Sequence, residues 1–194
     1  MFKRNKFIAD SLKQSSDIKL KVLEKCQTDI SKSADIITDR IKKGKKLIFC
    51  GNGGSAADCQ HLATEFMVRL SHDIKRPAIG AIAITTDSSN LTAGGNDIGF
   101  KNIFARSLEG IGNEGDILIA ISTSGNSENL IRAVKKAGKK KMFTIGLLGK
   151  TGGKLKSLVD LSVCVPSENI QRIQESHITI GHILCEITER EIYS

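Results

Sequence analysis

Apolar residues recur at helical spacing through the first 43 residues of the chain, with charged residues between them. The pattern predicts two helical segments separated by a break near Ser15-Ser16-Asp17, and Gly44 ends the second. The apolar positions of the second segment are Ile18, Val22, Ile30, Ala34, Ile37 and Ile41. This leading helix has little sheet to cover, so we expect it to pack against a partner subunit.

From residue 45 the pattern changes to short apolar runs that alternate with amphipathic helical stretches. The apolar runs are residues 47–50, 79–84, 116–121, 142–147 and 161–165. The helical stretches are residues 54–69, 87–94, 99–110, 126–138, 153–158 and 169–192. Continuous apolar strands between helices predict a doubly wound, three-layer α/β fold with about five parallel strands. We find no repeat or linker and expect one domain over residues 1–194, with a helical segment (1–43) before the α/β core (45–194).

Composition supports a globular protein and narrows its setting. The 194 residues are 26% charged and 40% hydrophobic, typical of a globular chain. No apolar run reaches the roughly 18 residues of a membrane span, and the first residues show no signal peptide, so we expect a cytoplasmic protein without a membrane partner. Five scattered cysteines without a CxxC pair indicate reduced thiols that pack as small hydrophobic groups.

The formal net charge of +8 is compatible with an anionic partner. The basic residues, however, cluster where helices end, at 42–46 and 135–141, and a cation at that position stabilises a helix. There is no tryptophan and one tyrosine, so the base-stacking pattern of nucleic-acid-binding surfaces is missing. We therefore expect no nucleic-acid partner.

Two loops that follow predicted strands have the composition of anion sites. Residues 51–56 read GNGGSA, which fits a weak dinucleotide fingerprint and equally a tight strand-to-helix turn. Residues 122–127 read STSGNS and lead into a helix, where hydroxyls and free N–H groups can bind phosphate and sugar hydroxyls. Helix capping would need only one of these residues, so we favour ligand binding. Gly149-Lys150-Thr151 lacks the earlier glycine of a nucleotide-binding P-loop.

Candidate acid/base and metal groups lie on two helical stretches. His61 and Glu65 are one turn apart and share a helix face, as a surface hydrogen bond or a functional pair would. Gln174 and His182 are eight residues apart, about 12 Å of helix rise. They can reach one zinc ion only with extended side chains, unless one comes from a neighbouring subunit. His177 is either a supporting group or a packing residue.

Five motifs together resemble the phosphoheptose isomerases (sedoheptulose 7-phosphate isomerases), members of the sugar-isomerase (SIS) fold group. They are GNGGS at 51–55, QHLATE at 60–65, GNDIGF at 95–100, GDILIAISTSGNS at 115–127 and RIQESHITIGH at 172–182. The resemblance covers nearly the whole chain. It implies conversion of sedoheptulose 7-phosphate to D-glycero-D-manno-heptose 7-phosphate, the entry to heptose synthesis for lipopolysaccharide or capsule.

The resemblance also implies a homotetramer with active sites between subunits and one zinc ion per subunit. The implied zinc ligands are His61, Glu65, Gln174 and His182. The implied substrate-binding residues are Asn52, Gly53, Gly54, Ser55, Glu65, Asn96, Asp97, Ser122, Thr123, Ser124, Ser127 and Gln174. Gln171 stands where family members often have an acidic residue, so a carboxylate function there is lost.

The chemistry we expect is proton transfer through an enediol, with Glu65 as the base and His182 as the acid. The alternative is a non-catalytic SIS protein that binds the replication initiator DnaA. In our interpretation such proteins lack the glutamate and the terminal histidine, both present here. A regulatory module that binds a sugar phosphate without turnover is a third interpretation.

Overall fold

The computed structural model describes residues 2–194 and shows a parallel five-stranded sheet between two layers of helices. The strands are β1 (Leu47–Gly51), β2 (Ala81–Ala83), β3 (Ile117–Ser122), β4 (Phe143–Gly149) and β5 (Leu161–Val165), in the order β2-β1-β3-β4-β5. The helices are α1 (Arg4–Lys42), α2 (Gly54–Met67), α3 (Ser88–Gly94), α4 (Ile103–Ile111), α5 (Glu128–Lys139) and α6 (Ile170–Tyr193). The predicted three-layer α/β fold is confirmed.

The core has one half on each face of the sheet. Strand residues alternate between the two, with Ile117 and Ile119 facing one half and Leu118 and Ala120 the other. Helices α1, α2 and α6 cover the first face, and α4 and α5 cover the second. Strands buried on both faces explain why their sequences are continuously apolar.

The N-terminal helix differs from the prediction in two ways. It runs without a break from Arg4 to Lys42, because serine disfavours a helix only slightly and packing outweighs that preference. At the predicted break, the Ser15 hydroxyl donates to Glu175 of α6 at 2.7 Å. The helix also covers sheet: Ile30, Ala34 and Ile37 are buried against the first face.

Other predicted elements keep their place but change in extent or type. The edge strand β2 has three residues rather than six. The stretch before α4 forms a π-helical turn (Gly95–Gly99) and a short 3₁₀ turn (Phe100–Asn102). Residues Gly153–Ser157 form a 3₁₀ rather than an α-helix. Within residues 2–194, no helix combines the length and apolar character that crossing a bilayer requires.

Candidate active site

The loop between β1 and α2 is built by glycines. A Cβ on Gly51 would lie 2.7 Å from the carbonyl oxygen of Ser55, and Gly53 has a positive φ of 54°. Larger residues at these positions would strain or block the turn. Ser55 is buried, whereas Gly53 and Gly54 are exposed at the first turn of α2. The turn therefore leaves the N-terminus of α2 open to a ligand, where backbone N–H groups favour an anion.

In the serine loop, residues 122–127, some hydroxyls bond to the loop backbone and that of Ser127 makes no capping bond. Ser122 is buried and accepts the N–H of Gly125 at 3.0 Å. Ser124 accepts the N–H of Asn126 at 3.3 Å. Ser127 precedes α5, but its side chain makes no capping bond within the described chain. Ser127 therefore does not act as a helix cap, and its hydroxyl is available to bind a ligand.

A reciprocal amide pair ties the two loops together. Asn52 donates to Asn129 at 3.0 Å, and Asn129 donates back to Asn52 at 2.8 Å. Asn129 lies in the first turn of α5 and is 4% exposed. The sequence prediction missed Asn129, since a lone Asn at a helix start reads as an ordinary polar residue. The pair brings the N-termini of α2 and α5 to one cleft at the carboxyl edge of the sheet.

The first turns of α6 close this cleft. A Cβ on Gly54 would lie 2.5 Å from the Gln174 amide nitrogen, so Gln174 lies against the start of α2. A Cβ on Gly149 would lie 2.6 Å from both the Ile173 side chain and the Thr123 carbonyl oxygen. Gln174 is therefore placed at the glycine loop, beside the serine loop.

Three of the four predicted metal ligands converge between α2 and α6. The Nε2 atoms of His61 and His182 are 2.8 Å apart, and Glu65 Oε1 is 3.4 Å from His61 Nε2. One ligand atom from each of the three residues lies within 4.8 Å of the others. The side chain of His61 is 48% exposed and that of Glu65 is 19% exposed. The site is open to solvent on the His61 side.

This donor set fits a catalytic zinc site. Two imidazoles and one carboxylate are ligands that zinc accepts, and three protein ligands leave a position open for substrate or water. Burial raises the pKa of Cys185, and hence its thiol stays protonated with a pKa of about 12. The five cysteines are all free, and four are buried, as the sequence predicted.

The structure places the predicted fourth ligand, Gln174, at the start of α2. Helices α2 and α6 run side by side, with Gly54 against Gln174 and, farther along, Leu62 against Gly181. His61 lies seven residues beyond Gly54, which is about 10 Å of helix rise. Within one protomer, Gln174 would therefore need an extended side chain to reach the same ion as the other three residues.

The remaining predicted residues lie around the cleft or behind it. Asn96 and Asp97 are exposed in the π-helical turn and bond to each other at 2.7 Å. Their turn follows α3, the helix after β2, and β2 is the neighbour of β1 in the sheet. His177 is fully buried, with Nε2 3.0 Å from the Leu148 carbonyl oxygen, so it packs α6 onto β4. Gln171 is exposed at the start of α6.

Comparison with known proteins agrees with this architecture. The family model of the SIS domain matches residues 12–149, which include the sheet strands β1 to β4 and both loops. A phosphoheptose isomerase of Clostridium acetobutylicum is 49% identical over 96% of this chain and 95% of its own length. One of Akkermansia muciniphila is 48% identical over 89% of this chain and 90% of its own.

Solved structures extend the likeness to the backbone. The phosphoheptose isomerase of Francisella tularensis superposes with a TM-score of 0.93 at 35% identity, covering 97% of this chain and all of that one. That of Neisseria gonorrhoeae gives 0.91 at 36% identity, with the same coverage. The chain belongs to the phosphoheptose isomerase family and is an aldose–ketose isomerase. The alternative of a DnaA-binding protein receives no support.

Proposed function

We propose that this protein converts sedoheptulose 7-phosphate to D-glycero-D-manno-heptose 7-phosphate. The observation that carries the proposal is the convergence of His61, Glu65 and His182 between α2 and α6, the two helices that begin at the carboxyl edge of the sheet. An aldose–ketose isomerase needs an acid/base pair at one end of its substrate and an anion site at the other. The names of the relatives above support the same reaction.

The phosphate end of the substrate binds at the serine loop in this proposal. The hydroxyls of Thr123 and Ser127 and the N-terminus of α5 would bind the phosphate, because the helix dipole favours a doubly charged group there. Ser122 holds the loop through Gly125, and Ser124 borders it. Further substrate contacts come from the glycine loop (Asn52, Gly53, Gly54 and Ser55), from Gln174 and from Asn96 and Asp97.

Proton transfer is assigned to Glu65 and His182. Glu65 removes the proton from carbon 1 of the ketose, and His182 protonates the oxygen at carbon 2, giving the enediol. The reverse transfers at the other carbon and oxygen yield the aldose. Each positioned group contributes about 10²–10⁴-fold to the rate.

His61, Glu65 and His182 would hold one zinc ion per subunit. When bound, zinc polarises the substrate carbonyl and holds the open-chain sugar in place. A carboxylate that held zinc would be a weaker base, so metal binding and proton abstraction by Glu65 would oppose each other. The measured effect of metal removal separates a catalytic ion from a structural one.

The fourth ligand, Gln174, comes from a neighbouring copy of the chain in this proposal, within a homotetramer that has active sites between subunits. Two observations support an assembly. Gln174 lies against Gly54, about two helical turns before His61 along α2. An apolar groove of about 510 Å³ lies open between α1 and α6. Its apolar lining includes Val22, Leu23, Ile30, Ile180, Ile183 and Ile187.

The cellular context follows from the proposed reaction. The enzyme acts in the cytoplasm on a small sugar phosphate, with no nucleic-acid or membrane partner. Its product supplies heptose synthesis for lipopolysaccharide or capsule.

Turnover of sedoheptulose 7-phosphate by the purified protein tests the proposal directly. We expect formation of the aldose phosphate, loss of activity after chelation and recovery on adding zinc. A protein that binds the sugar phosphate without converting it would instead be a regulatory module. Activity that does not change on chelation would be consistent with an isomerase but would contradict a catalytic function of zinc.

A further inference from the structure

A second cluster of charge, outside the cleft, joins the same two helices. The side chains of Arg76 and Glu189 are both 0% exposed, and Arg76 Nε donates to Glu189 Oε1 at 2.7 Å. Arg76 lies in the connection between α2 and β2, and Glu189 lies near the end of α6. The sequence prediction gave neither residue a function.

Every polar contact of this pair reaches backbone on the α2 side. Glu189 also accepts the N–H groups of Leu70 and Ser71, each at 3.0 Å. Arg76 Nη2 donates to the carbonyl of Glu65 at 2.8 Å, and Nη1 donates to that of Pro77 at 3.0 Å. The Glu65 carbonyl is in the last turn of α2, where carbonyls lack a partner in the helix. The pair thus links Glu65, whose carboxylate belongs to the ligand cluster, to helix α6.

The same tie acts on the other side of the cluster. Glu189 lies seven residues beyond His182 on α6, about two helical turns. His61 and Glu65 on α2 and His182 on α6 are therefore held between the Arg76–Glu189 pair at one end and the contact of Gly54 with Gln174 at the other. A slip of α6 against α2 by one residue, about 1.5 Å, would break the ion pair and separate His182 from His61.

Stability alone does not explain such a pair. Desolvating two charges offsets most of their attraction, so packed apolar side chains would stabilise the fold at least as well. An ion pair with directed hydrogen bonds fixes the distance and the angle between two elements. Metal ligands on those elements need fixed positions, since displacements near 1 Å weaken a metal site.

We propose that Arg76 and Glu189 are positioning residues that fix the register of α2 against α6, and so hold His61, Glu65 and His182 at metal-binding distance. The inference rests on the proposed function only in taking this cluster as the metal and acid/base site. Arg76 acts through the Glu65 carbonyl of α2, and Glu189 acts through the N–H groups of Leu70 and Ser71, which follow α2.

Metal affinity measured apart from turnover tests the proposal. We would titrate metal-free protein with Co²⁺ and follow its visible absorption, for the wild type and for Glu189→Gln. The amide group of Gln would place an N–H donor against Leu70 N–H, Ser71 N–H or the Arg76 guanidinium, which are themselves donors. We expect affinity for Co²⁺ to fall about 10–100-fold, as when a group that orients metal ligands is removed.

Asp116→Asn is the matched control. Asp116 is 3% exposed and accepts two backbone N–H groups, of Lys46 and Asn113, together with the Lys46 ammonium. It lies before β3, at the opposite edge of the sheet from the cleft. We expect both variants to lower the melting temperature and only Glu189→Gln to weaken Co²⁺ binding and reduce kcat.

A second variant keeps the test decisive if Glu189→Gln does not fold. Arg76→Lys retains the positive charge but cannot reach Glu189 and the Glu65 carbonyl together, and we expect weaker Co²⁺ binding there too. Folded variants that bind Co²⁺ like the wild type while losing stability would overturn the positioning function. A wild-type protein that binds Co²⁺ but does not turn over sedoheptulose 7-phosphate would contradict the proposed function and leave this inference standing.

Discussion

At the scale of single residues, the short contact between two histidines determines what the cluster can do. With Nε2 atoms 2.8 Å apart, one imidazole must donate a hydrogen bond to the other, or both must offer their lone pairs to one cation. Glu65 Oε1 lies on the same side, 3.4 Å from His61. The arrangement therefore suits a cation and, once a sugar carbonyl is present, an acid facing a base.

Replacing Glu65 by Gln tests the base assignment. The amide keeps the size of the side chain but cannot take up a proton, so we expect turnover to fall about 10²–10⁴-fold with the fold unchanged. Turnover of sedoheptulose 7-phosphate and circular dichroism provide the measurements. Glu186→Gln, an exposed change on α6, is the control. Turnover near that of the wild type would contradict the assignment.

His177 makes the stability of the protein depend on pH. Burial lowers its pKa to about 4, below the usual 6.5, with the hydrogen bond to Leu148 opposing in part. Because the unfolded chain takes up this proton first, the stability contribution is complete above pH 6.5 and is lost as pH falls towards 4.

We expect this residue to account for about 2 kcal/mol of the loss in unfolding free energy between pH 7 and pH 5. His177→Gln retains a donor for the Leu148 carbonyl and does not titrate. Urea unfolding of both proteins at the two pH values measures the difference. Equal losses for the two proteins would show that His177 is not the group responsible.

At the scale of elements, the functional unit is the seam between α2 and α6. Both helices begin at the carboxyl edge of the sheet and run side by side. This places the Gln174 amide at the start of α2 and the ligand cluster about two turns farther along. The two helices must also approach each other closely, and Gly181, which has no side chain, allows this opposite Leu62.

Gly181→Ala tests the closeness of this packing. The added Cβ would lie 2.5 Å from both terminal carbons of Leu62, which is 1% exposed and has little room to move. We expect a loss of about 1–3 kcal/mol in unfolding free energy, typical of an overfilled core. Gly138→Ala in α5 meets nothing within 4 Å and should be neutral or stabilising. Thermal unfolding distinguishes the two, and similar effects would refute the packing argument.

At the scale of the whole molecule, one side of the protomer carries apolar surface. The exposed apolar residues of α1 include Phe7, Ile8, Leu12, Leu20 and Leu23. On α6, Ile183 is exposed and lines the groove together with Leu23. A surface of this kind needs cover in water and supports the proposed tetramer.

Leu23→Asp should weaken the assembly. A charge in an apolar interface must be desolvated, so we expect smaller species by light scattering. Turnover should fall in parallel if Gln174 of a neighbouring copy completes the site. Ile111→Asp, on exposed apolar surface at the end of α4, is the control. A Leu23 variant with unchanged mass and turnover would place the interface elsewhere.

Much of the fold was readable from local pattern. The five strands and the helices after β1, β3 and β5 lie where the sequence predicts, because a buried parallel sheet requires continuous apolar runs. The break predicted at Ser15–Asp17 was wrong, since helix propensity is a small term beside the packing of Ile18 and its successors on the core.

The sequence by itself determined which functional groups are present: an imidazole and a carboxylate one helical turn apart, a second imidazole on the last helix, and hydroxyl-rich turns after strands. Only the tertiary structure decided which of these groups meet. Helical periodicity fixes spacing along one helix and says nothing of the register between two. That register, set by the contacts of Gly54 with Gln174 and of Arg76 with Glu189, unites His61, Glu65 and His182 and places Gln174 at the start of α2.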